Sequence, residues 1–239
     1  AMTGHSLKQR LWQADFPRII AEFKRQSPSK GIINAQAQPD TVAVGYQEAG
    51  AAGISVLTDS VFFGGSFSDF ERARATALHM PLLRKDFMID PYQLYDAKAL
   101  GADVILLIAA CLTPKEGQTP AQLAHQLGLE VLLEVHDADE LTRSLCDEVD
   151  IVGVNNRNLK TFTTAIETSL ELADSIPDNL PKISESGLDD AHTLAVLFER
   201  GYTGFLMGES FMKTSQPAEA LAALQHTLNQ TFNYNPPLV

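Results

Sequence analysis

The stretch AGAAGISVL, residues 49–57, contains the pattern that decides the fold. A helical segment ends near Gly50, small residues follow, and an apolar run then begins that has the character of a buried strand. The same entry phrase recurs in ALGADVILL (99–107), QLGLEVLLEV (126–135) and ERGYTGFLMG (199–208). The underlying repeat, roughly 20 to 35 residues, has the size of one strand–helix unit. The chain is therefore predicted to consist of repeated βα units.

Eight short apolar runs supply the strands for such a repeat. They are RIIAEF, GISVLT, MPLLRK, DVILLIA, LEVLLEV, DIVGVN, PKISES and GFLMG. Most of them lack alternation, which is typical of parallel strands covered on both faces. We predict an α/β protein with one (β/α)8 TIM barrel domain: residues 1–18 as a short N-terminal segment, 19–228 as the barrel and 229–239 as a loose tail. An open doubly wound sheet is the alternative, but no glycine-rich dinucleotide turn follows the first strand.

The composition argues against several classes of partner. The 239 residues carry a net charge of −12 and no basic run, so no nucleic-acid partner is expected. An anionic ligand would need a local cluster of positive side chains. No apolar run reaches the ~18 residues that span a bilayer, and the start lacks a signal-peptide core, so we expect no membrane contact and a cytoplasmic location. Cys111 and Cys146 have no metal-ligand spacing, which predicts reduced thiols and no metal site. Cys111 follows a strand-like run and could lie near a pocket, although a packing role is favoured.

Charged side chains interrupt the first strand at its inner end. In IIAEFKRQSPSKG, residues 19–31, Glu22 and Lys24 lie two apart and therefore share one face of a strand. If that strand is central, both side chains point into the protein, where a charge is costly unless it is paired or used. Taken alone, such a pair is more often a structural ion pair than a catalytic one.

The ends of the other predicted strands are polar as well, and chemistry in a barrel lies at these ends. They supply Lys85 with Phe87 beside it, Glu134, Asn155, Glu185 with Ser186, and Glu209. Each has an ordinary structural explanation by itself, such as a cap, a turn or a carboxylate bonded to backbone. Together, strands that direct polar groups to one mouth are typical of a binding site rather than of a packed core.

Two glycines indicate where a phosphate would bind. Gly187 and Gly208 follow the seventh and eighth predicted strands, and each is expected to lead into a helix start. Backbone N–H groups at such a position suit an anion, and barrels often bind phosphate after these two strands. Two ordinary tight turns are the alternative explanation.

Seven segments together resemble indole-3-glycerol phosphate synthase of tryptophan biosynthesis. They are IIAEFKRQSPSKG, ISVLTDSVFFGGS, LLRKDFMIDPYQLYDAKALGADVILLI, LGLEVLLEVHD, VGVNNRNLKTF, ISESG and LMGESFM. The E-x-K-x-x-S-P-S-K-G and R-K-D-F patterns are highly specific. The resemblance implies closure of the pyrrole ring of 1-(2-carboxyphenylamino)-1-deoxyribulose 5-phosphate, with loss of carbon dioxide and water, by acid/base catalysis and without a cofactor.

The resemblance also implies roles for individual residues. Lys85 resembles the general acid of ring closure and Glu134 its acid/base partner, while Glu22 and Lys24 resemble groups for dehydration and anchoring. The division of the last step between Lys24 and Glu134 stays open. The other implied contacts are Asn155 and Arg157 near the reacting groups, Ser27, Glu185 and Ser186 at the mouth, and apolar walls from Phe63, Phe87, Leu106, Ile108 and Leu159. The implied phosphate cradle is Lys24, Ser186, Gly187, Gly208 and Glu209.

Two alternatives to this function remain. Members of the family usually begin with a longer helical extension beside the mouth, whereas 18 residues precede the first predicted strand. A barrel that binds the ligand but is weakly active or inactive is therefore one alternative. Another phosphosugar barrel, such as the isomerase of the preceding pathway step, is the second, although it does not explain R-K-D-F. Association with other tryptophan-pathway enzymes stays open, and no oligomeric state is predicted.

Overall fold

Eight parallel strands close into a barrel in the computed structural model, which describes residues 5–12, 14–111, 114–158 and 161–232. The barrel strands are β1 (Arg18–Phe23), β2 (Gly53–Leu57), β3 (Leu82–Lys85), β4 (Val104–Ile108), β5 (Glu130–Val135), β6 (Ile151–Asn155), β7 (Lys182–Glu185) and β8 (Gly204–Met207). Each strand pairs with the next one along the chain, and β8 pairs with β1, with Ile20 opposite Leu206. This closure confirms the predicted TIM barrel and excludes the open sheet.

All the helices but the first follow a strand and cover the outside of the barrel. They are α1 (Leu7–Leu11), α2 (Pro39–Glu48), α3 (Phe67–Thr76), α4 (Tyr92–Ala99), α5 (Pro114–Gln126), α6 (Ala138–Ser144), α7 (Glu167–Leu172), α8 (Ala191–Glu199), α9 (Glu209–Met212) and α10 (Pro217–Thr231). A small antiparallel hairpin, Gln26–Ser27 with Gly31–Ile32, lies in the loop after β1. Within the described part of the chain, no helix is long and apolar enough to cross a membrane.

Four glycines end helices just before the strands that follow. Gly50, Gly101, Gly128 and Gly201 have φ values of 84°, 85°, 72° and 87°, in the left-handed region that glycine enters without strain. They are the glycines of the entry phrase from which the fold was predicted. Each turn of this kind stops a helix and redirects the chain toward the next strand.

The barrel divides the apolar side chains into two cores, because successive residues of a strand point to opposite faces. The outer core lies between strands and helices and includes Ile19, Tyr202 and Phe205, all fully buried. The inner core fills the barrel. Its members are Leu7, Leu11, Ile20, Leu83, Val104, Leu106, Leu132, Ile151, Ile183 and Leu206. Burial of each such side chain stabilises the folded state by about 1.5–3 kcal/mol. Together these side chains make the barrel interior below the mouth a packed core.

Helix α1 closes the end of the barrel opposite the carboxyl ends of the strands. Leu7 and Leu11 enter the inner core, with exposures of 1% and 0%. Glu130, at the start of β5, accepts hydrogen bonds from the Leu7 and Lys8 N–H groups at 2.9 and 3.0 Å and from the Ser6 hydroxyl. The sequence prediction assigns residues 1–18 no structure of their own, because five helical residues are too few to show periodicity.

The last helix continues past the predicted barrel boundary at residue 228. Helix α10 ends at Thr231, and Phe232 packs edge-on against Phe198 with ring centroids 5.3 Å apart. This contact holds the end of α10 against α8, so the first residues assigned to a loose tail belong to the packed structure. Residues 233–239 of the predicted tail lie outside the described residues.

Candidate active site

The carboxyl ends of the barrel strands surround a cavity of about 710 Å³, which is within the usual range for small-molecule sites. Every site residue predicted from the sequence lines this cavity except Leu159, which lies outside the described residues. The predicted residues in the lining are Glu22, Lys24, Ser27, Phe63, Lys85, Phe87, Leu106, Ile108, Glu134, Asn155, Arg157, Glu185, Ser186, Gly187, Gly208 and Glu209. The structure thus brings together groups from all eight strand ends and their loops.

Glu22 lies at the inner end of β1 and is 3% exposed. Its Oε1 is 2.6 Å from Lys24 Nζ, its Oε2 is 3.5 Å from Lys85 Nζ, and the Ser55 hydroxyl donates to Oε2 at 3.3 Å. Burial alone would raise the pKa of Glu22, but the two lysines outweigh it and lower the pKa to about 2. Glu22 is therefore an anion at neutral pH, and it faces the cavity with Lys24 as strand parity predicts.

Lys85 ends β3 at the centre of a buried charge cluster. Its Nζ contacts Glu185 Oε2 and lies near Glu22. Burial would lower the pKa of Lys85, but the negative charges of Glu185, Glu22 and Glu134 outweigh burial and raise the pKa above its ordinary value. Burial and the charge of Glu134 raise the pKa of Glu185 to about 8, against the opposing effect of Lys85. The cavity floor therefore holds a charged ammonium beside a carboxyl group whose pKa is strongly raised.

Glu134 points inward from β5 and is 4% exposed. Asn155, at the end of the neighbouring strand β6, donates from Nδ2 to Glu134 Oε1 at 3.1 Å. The Asn155 Oδ1 accepts the Arg157 N–H at 3.0 Å. Because the amide oxygen is engaged there, the amide nitrogen is the end that faces Glu134. Asn155 therefore orients the Glu134 carboxylate through a backbone-anchored amide.

A second buried network supports Lys85 from outside the barrel. Arg84, its neighbour on β3, is 1% exposed and donates from Nε to Thr58 Oγ1 at 3.0 Å and from Nη2 to Asp86 Oδ2 at 3.0 Å. Its Nη1 donates to the Gln93 carbonyl at 2.8 Å, and the Thr58 hydroxyl donates to Asp86 at 2.6 Å. The charged residues of the R-K-D-F segment thus alternate in role: Arg84 and Asp86 fix the backbone, and Lys85 enters the cavity.

Aromatic side chains form one wall of the cavity. The ring centroid of Phe87 lies 6.0 Å from that of Phe62 and 6.3 Å from that of Phe63, in edge-on and tilted arrangements. Leu106 and Ile108 of β4 continue the apolar surface toward the floor. The wall can therefore hold a flat apolar ring beside the charge cluster.

Positive side chains surround the opposite side of the mouth. Arg157 donates from Nη1 to the Ser29 hydroxyl at 3.3 Å, which links the loop after β6 to the loop after β1. Lys30 Nζ and Arg157 Nη2 lie 3.4 and 3.9 Å from the two carboxylate oxygens of Glu209. Both cations partly neutralise Glu209 at the rim, so this side of the mouth can accept an anion.

The two predicted glycines shape the cavity in different ways. Ser186 and Gly187 have φ values of 69° and 71°, and a Cβ at Gly187 would lie 2.4 Å from Thr164 Cγ2. A Cβ at Gly208 would lie 2.8 Å from Glu22 Oε1 and 2.9 Å from Glu22 Cβ, so any side chain there would displace Glu22. Only glycine leaves Glu22 in its observed position.

The expectation that both glycines lead directly into helices is right only after β8. Gly208 immediately precedes α9, whereas α8 begins at Ala191, after the intervening loop 186–190. The Asp190 side chain caps α8 itself by accepting the Thr193 N–H at 2.9 Å. An anion near β7 would therefore meet the loop rather than the start of that helix.

Sequence reasoning misses several lining residues. They include Lys30, Phe62, Ser210 and Lys213. Lys30 and Phe62 belong to quoted segments but lie in loops, where no strand parity assigns a direction to the side chain. The favoured packing role of Cys111 is wrong, and the alternative place near a pocket is right, because the chain turns after β4 and leaves this residue exposed at the mouth. The described residues contain no cluster of His, Cys, Asp or Glu arranged to hold a metal ion.

Comparison with known proteins agrees with the resemblance seen in the sequence. The family model of indole-3-glycerol phosphate synthase matches residues 2–224. The indole-3-glycerol phosphate synthase of Bacteroides thetaiotaomicron is 50% identical over 218 residues, which cover 91% of this chain and 83% of that protein. Those of Delftia acidovorans and Azoarcus sp. are 44% and 46% identical, covering 86% and 87% of this chain and 79% of each relative.

Solved structures with low sequence identity share the fold. KGPDC from Streptococcus mutans has a TM-score of 0.66 and 13% identity, covering 90% of this chain and 98% of its own. Thiamine phosphate pyrophosphorylase from Pyrococcus furiosus has a TM-score of 0.67 and 13% identity, covering 94% of this chain and 98% of its own. Such likeness bears on the fold alone, whereas the family model and the three relatives match most of the sequence. On that evidence the chain belongs to the indole-3-glycerol phosphate synthase family.

Proposed function

We propose that this protein is a carboxy-lyase that converts 1-(2-carboxyphenylamino)-1-deoxyribulose 5-phosphate to indole-3-glycerol phosphate, carbon dioxide and water. One observation carries the proposal: a charged Lys85, held between Glu22 and Glu185, stands at the floor of the cavity beside the Phe63 and Phe87 wall. The reaction needs a proton donor next to an aromatic ring, and this arrangement supplies both.

The substrate has two anionic groups and one apolar ring, and the cavity offers surroundings for each. The carboxyphenyl ring fits the wall formed by Phe63, Phe87, Leu106 and Ile108. The phosphate fits the side formed by the loop after β7 and by Gly208, where the Ser210 hydroxyl is buried and has no hydrogen-bond partner among the described residues. Lys24 and Arg157 supply positive charge within a protein of net charge −12. The acidic protein thus still offers a local site for an anion.

Ring closure begins when the ring carbon that bears the carboxylate attacks the ketone carbon of the sugar chain. The ketone oxygen gains negative charge in this step, and the Lys85 ammonium donates a proton to it. The neighbouring carboxylates keep Lys85 protonated before the reaction, so the donor is loaded at neutral pH. An alkoxide is far more basic than an amine, and the proton therefore moves downhill once the new bond forms.

The later steps release carbon dioxide and then water. After decarboxylation, the hydroxyl made from the ketone oxygen leaves with a second proton, and a proton is removed from the linking methylene carbon to complete the pyrrole ring. Glu134, oriented by Asn155, is the acid/base group that we assign to dehydration. Lys24 is tied to Glu22 at 2.6 Å, which suits an anchoring role better than proton transfer.

The proposal is tested by supplying the carboxyphenylamino substrate and following indole fluorescence, with carbon dioxide release measured in parallel. We expect one carbon dioxide for each indole-3-glycerol phosphate formed. An isomerase of the preceding pathway step makes the carboxyphenylamino substrate from an isomeric phosphoribosyl compound. That isomer supplied alone should give no product, which distinguishes this function from the isomerase alternative. Substrate that binds without any product would instead support the inactive-barrel alternative.

A further inference from the structure

The proposed reaction consumes one more proton than it releases, and the groups discussed so far do not account for the source of that proton. With its carboxylate ionised, the substrate must gain one proton to give indole-3-glycerol phosphate, carbon dioxide and water. Two protons are added to the former ketone oxygen, and one is recovered from carbon. Each turnover therefore brings one net proton into a buried site. The inference below rests on the proposed function and concerns the route by which that proton reaches Glu134.

His136 lies two residues beyond Glu134, where β5 gives way to the turn before α6. Its Nδ1 is 3.0 Å from Glu140 Oε2, and the same oxygen accepts the His136 backbone N–H at 2.9 Å. A carboxylate can only accept at this position, so Nδ1 carries a proton and donates it. Glu140 is itself fixed, because its backbone N–H donates to the Asp137 side chain at 2.7 Å. The ring orientation and one proton position follow from these contacts.

The other ring nitrogen faces the acid/base carboxylate. His136 Nε2 is buried, has no hydrogen-bond partner among the described residues, and lies 3.6 Å from Glu134 Oε1. With Nδ1 protonated, a neutral imidazole would turn a lone pair toward a carboxylate oxygen, which is an arrangement of two acceptors. A proton on either Nε2 or Glu134 removes this conflict. Catalytic hydrogen bonds are often long without substrate and shorten when it binds.

Other charged and titratable groups surround the pair. Glu185 on β7 lies close enough to Glu134 for each charge to oppose the other, while Lys85 on β3 offsets both. On the turn after β4, burial and the charges of Glu134 and Glu140 raise the pKa of the Cys111 thiol, which keeps it neutral. On α6, Arg143 is 44% exposed with Nη2 3.7 Å from Glu140 Oε1. Carboxylates thus outnumber cations on the sides that face His136, and Arg143 contacts only the far side of Glu140.

We propose that His136 is a positioning residue that shares a proton with Glu134 and resupplies it in each turnover. During dehydration the imidazolium breaks its Nε2–H bond, a new O–H bond forms on Glu134, and Glu134 passes that proton to the departing hydroxyl. The proton removed from the linking methylene carbon goes to the amine that Lys85 became in ring closure and restores its ammonium. His136 is left as the neutral ring with Nδ1–H still bound to Glu140. Solvent returns a proton to Nε2 after product leaves, which accounts for the net proton consumed.

The test replaces His136 by asparagine, whose side-chain amide can still donate to Glu140 but has no counterpart of Nε2. We expect His136→Asn to stay folded, to keep KM within about twofold, and to lower kcat by about tenfold or more. The loss should grow as pH rises, because fewer protons are available, and added imidazole should restore part of kcat. Steady-state kinetics from pH 6 to 9, with and without imidazole, measure all three effects.

His125→Asn is the matched control. His125 Nε2 lies 2.8 Å from Asp150 Oδ2 at the opposite end of the barrel, so this variant also loses a histidine–carboxylate contact. It should keep the kcat and pH profile of the parent protein and show no response to imidazole. If His136→Asn behaves in the same way, or if its loss of kcat is accompanied by a lower Tm and no rescue by imidazole, the relay is wrong and His136 is only structural.

A measurement without substrate separates this inference from the proposed function. The ¹⁵N signals of the His136 ring in the parent protein should show Nδ1 protonated throughout, with the proton change confined to Nε2. A neutral ring protonated at Nε2 alone would overturn the relay even in an active enzyme. Absence of turnover in the parent protein, with the expected ring signals, would overturn the proposed function instead.

Discussion

The two ends of the barrel both bury carboxylates, but they satisfy them differently. At the end closed by α1, Glu130 accepts two backbone N–H groups and a hydroxyl, and Asp150 accepts the Val131 N–H at 2.9 Å and lies 3.1 Å from Lys8 Nζ. At the mouth, Glu185 Oε1 is buried and has no hydrogen-bond partner among the described residues. Its other oxygen meets Lys85, and Glu134 repels it.

Structural and reactive carboxylates of this barrel therefore differ in the groups that surround them, not in how deeply they are buried. A carboxylate that accepts several fixed backbone donors has its hydrogen-bonding capacity filled, and its loss leaves those donors unpaired. A carboxylate that faces a like charge and a lysine has free hydrogen-bonding capacity, which suits proton transfer. A raised pKa alone does not separate the two classes, because burial raises the pKa of Glu130 as well. Substitutions at the mouth should therefore affect rate, and substitutions at the closed end should affect stability.

Two buried lysines give the largest expected contrast. Lys85→Ala should lower kcat by about 10²-fold or more, because it removes the proposed proton donor, with a smaller effect on substrate binding. Lys182, at the start of β7, donates to the Ala173 carbonyl at 2.7 Å at the closed end of its strand. Lys182→Ala should keep kcat and lower Tm. Turnover close to normal in Lys85→Ala would remove Lys85 from the mechanism.

Glu130→Gln should have the opposite effect to Lys85→Ala, with a loss of stability and no loss of kcat. Glutamine presents N–H groups to at least one of the three donors that now bind Glu130, so we expect a loss of about 1–3 kcal/mol in the free energy of unfolding. Urea unfolding measures the loss, and kcat of the folded protein should be unchanged. A variant of normal stability with reduced kcat would contradict the separation between the two ends.

Two glycines at opposite ends of β8 sharpen the comparison within one strand. Gly208→Ala should lower kcat/KM by several-fold to about tenfold. The new Cβ would lie 2.8 Å from Glu22 Oε1 and would displace the Glu22 side chain. A Cβ at Gly204 would instead lie 2.6 Å from Ile183 Cγ2 and 2.9 Å from Leu11 Cδ2. Gly204→Ala should lower Tm and leave KM unchanged. Equal kinetic effects of the two substitutions would mean that strain spreads along the whole strand.

The pH dependence of stability tests the mouth cluster independently of turnover. Glu185 has a pKa of about 8 in the folded protein against an ordinary value of 4.5. Between these pH values the folded state retains a proton that the unfolded state has lost, so stability falls as pH rises, by at most about 1.4 kcal/mol per unit. Glu185→Gln should flatten this slope in unfolding measurements from pH 5 to 8. An unchanged slope would place the proton elsewhere in the cluster.

Local rules predicted the features that depend on one strand at a time. Parity along β1 predicted that Glu22 and Lys24 face the same way, and glycines at strand entries predicted the repeat. The pattern DADELTRSLCDEV predicts a longer helix with Leu141, Leu145 and Val149 on one stripe, but α6 ends at Ser144. Leu145 is extended, and Val149 is buried through a separate turn closed by its N–H to the Cys146 carbonyl. Apolar spacing alone does not distinguish these cases.

Features that depend on several elements could not be predicted in this way. The high pKa of Glu185 arises from its burial and from the charge of Glu134, two strands away around the barrel, and the sequence contains no measure of either. His136 follows a strand end in the quoted LGLEVLLEVHD segment, yet nothing in the residue order indicates that its ring lies between Glu134 and Glu140. The need for glycine at position 208 likewise becomes visible only when β1 and β8 are side by side.

Strand β5 carries Glu130 at one end and Glu134 at the other, on the same face and four residues apart. At about 3.3 Å per residue the two lie roughly 13 Å from each other along the strand. Effects of substitutions that far apart, with no shared partner, usually add. The same strand can therefore be altered around Glu134 for a new substrate and around Glu130 for greater heat resistance, in either order. Evolution and protein engineering can treat the two ends of this barrel as separate problems.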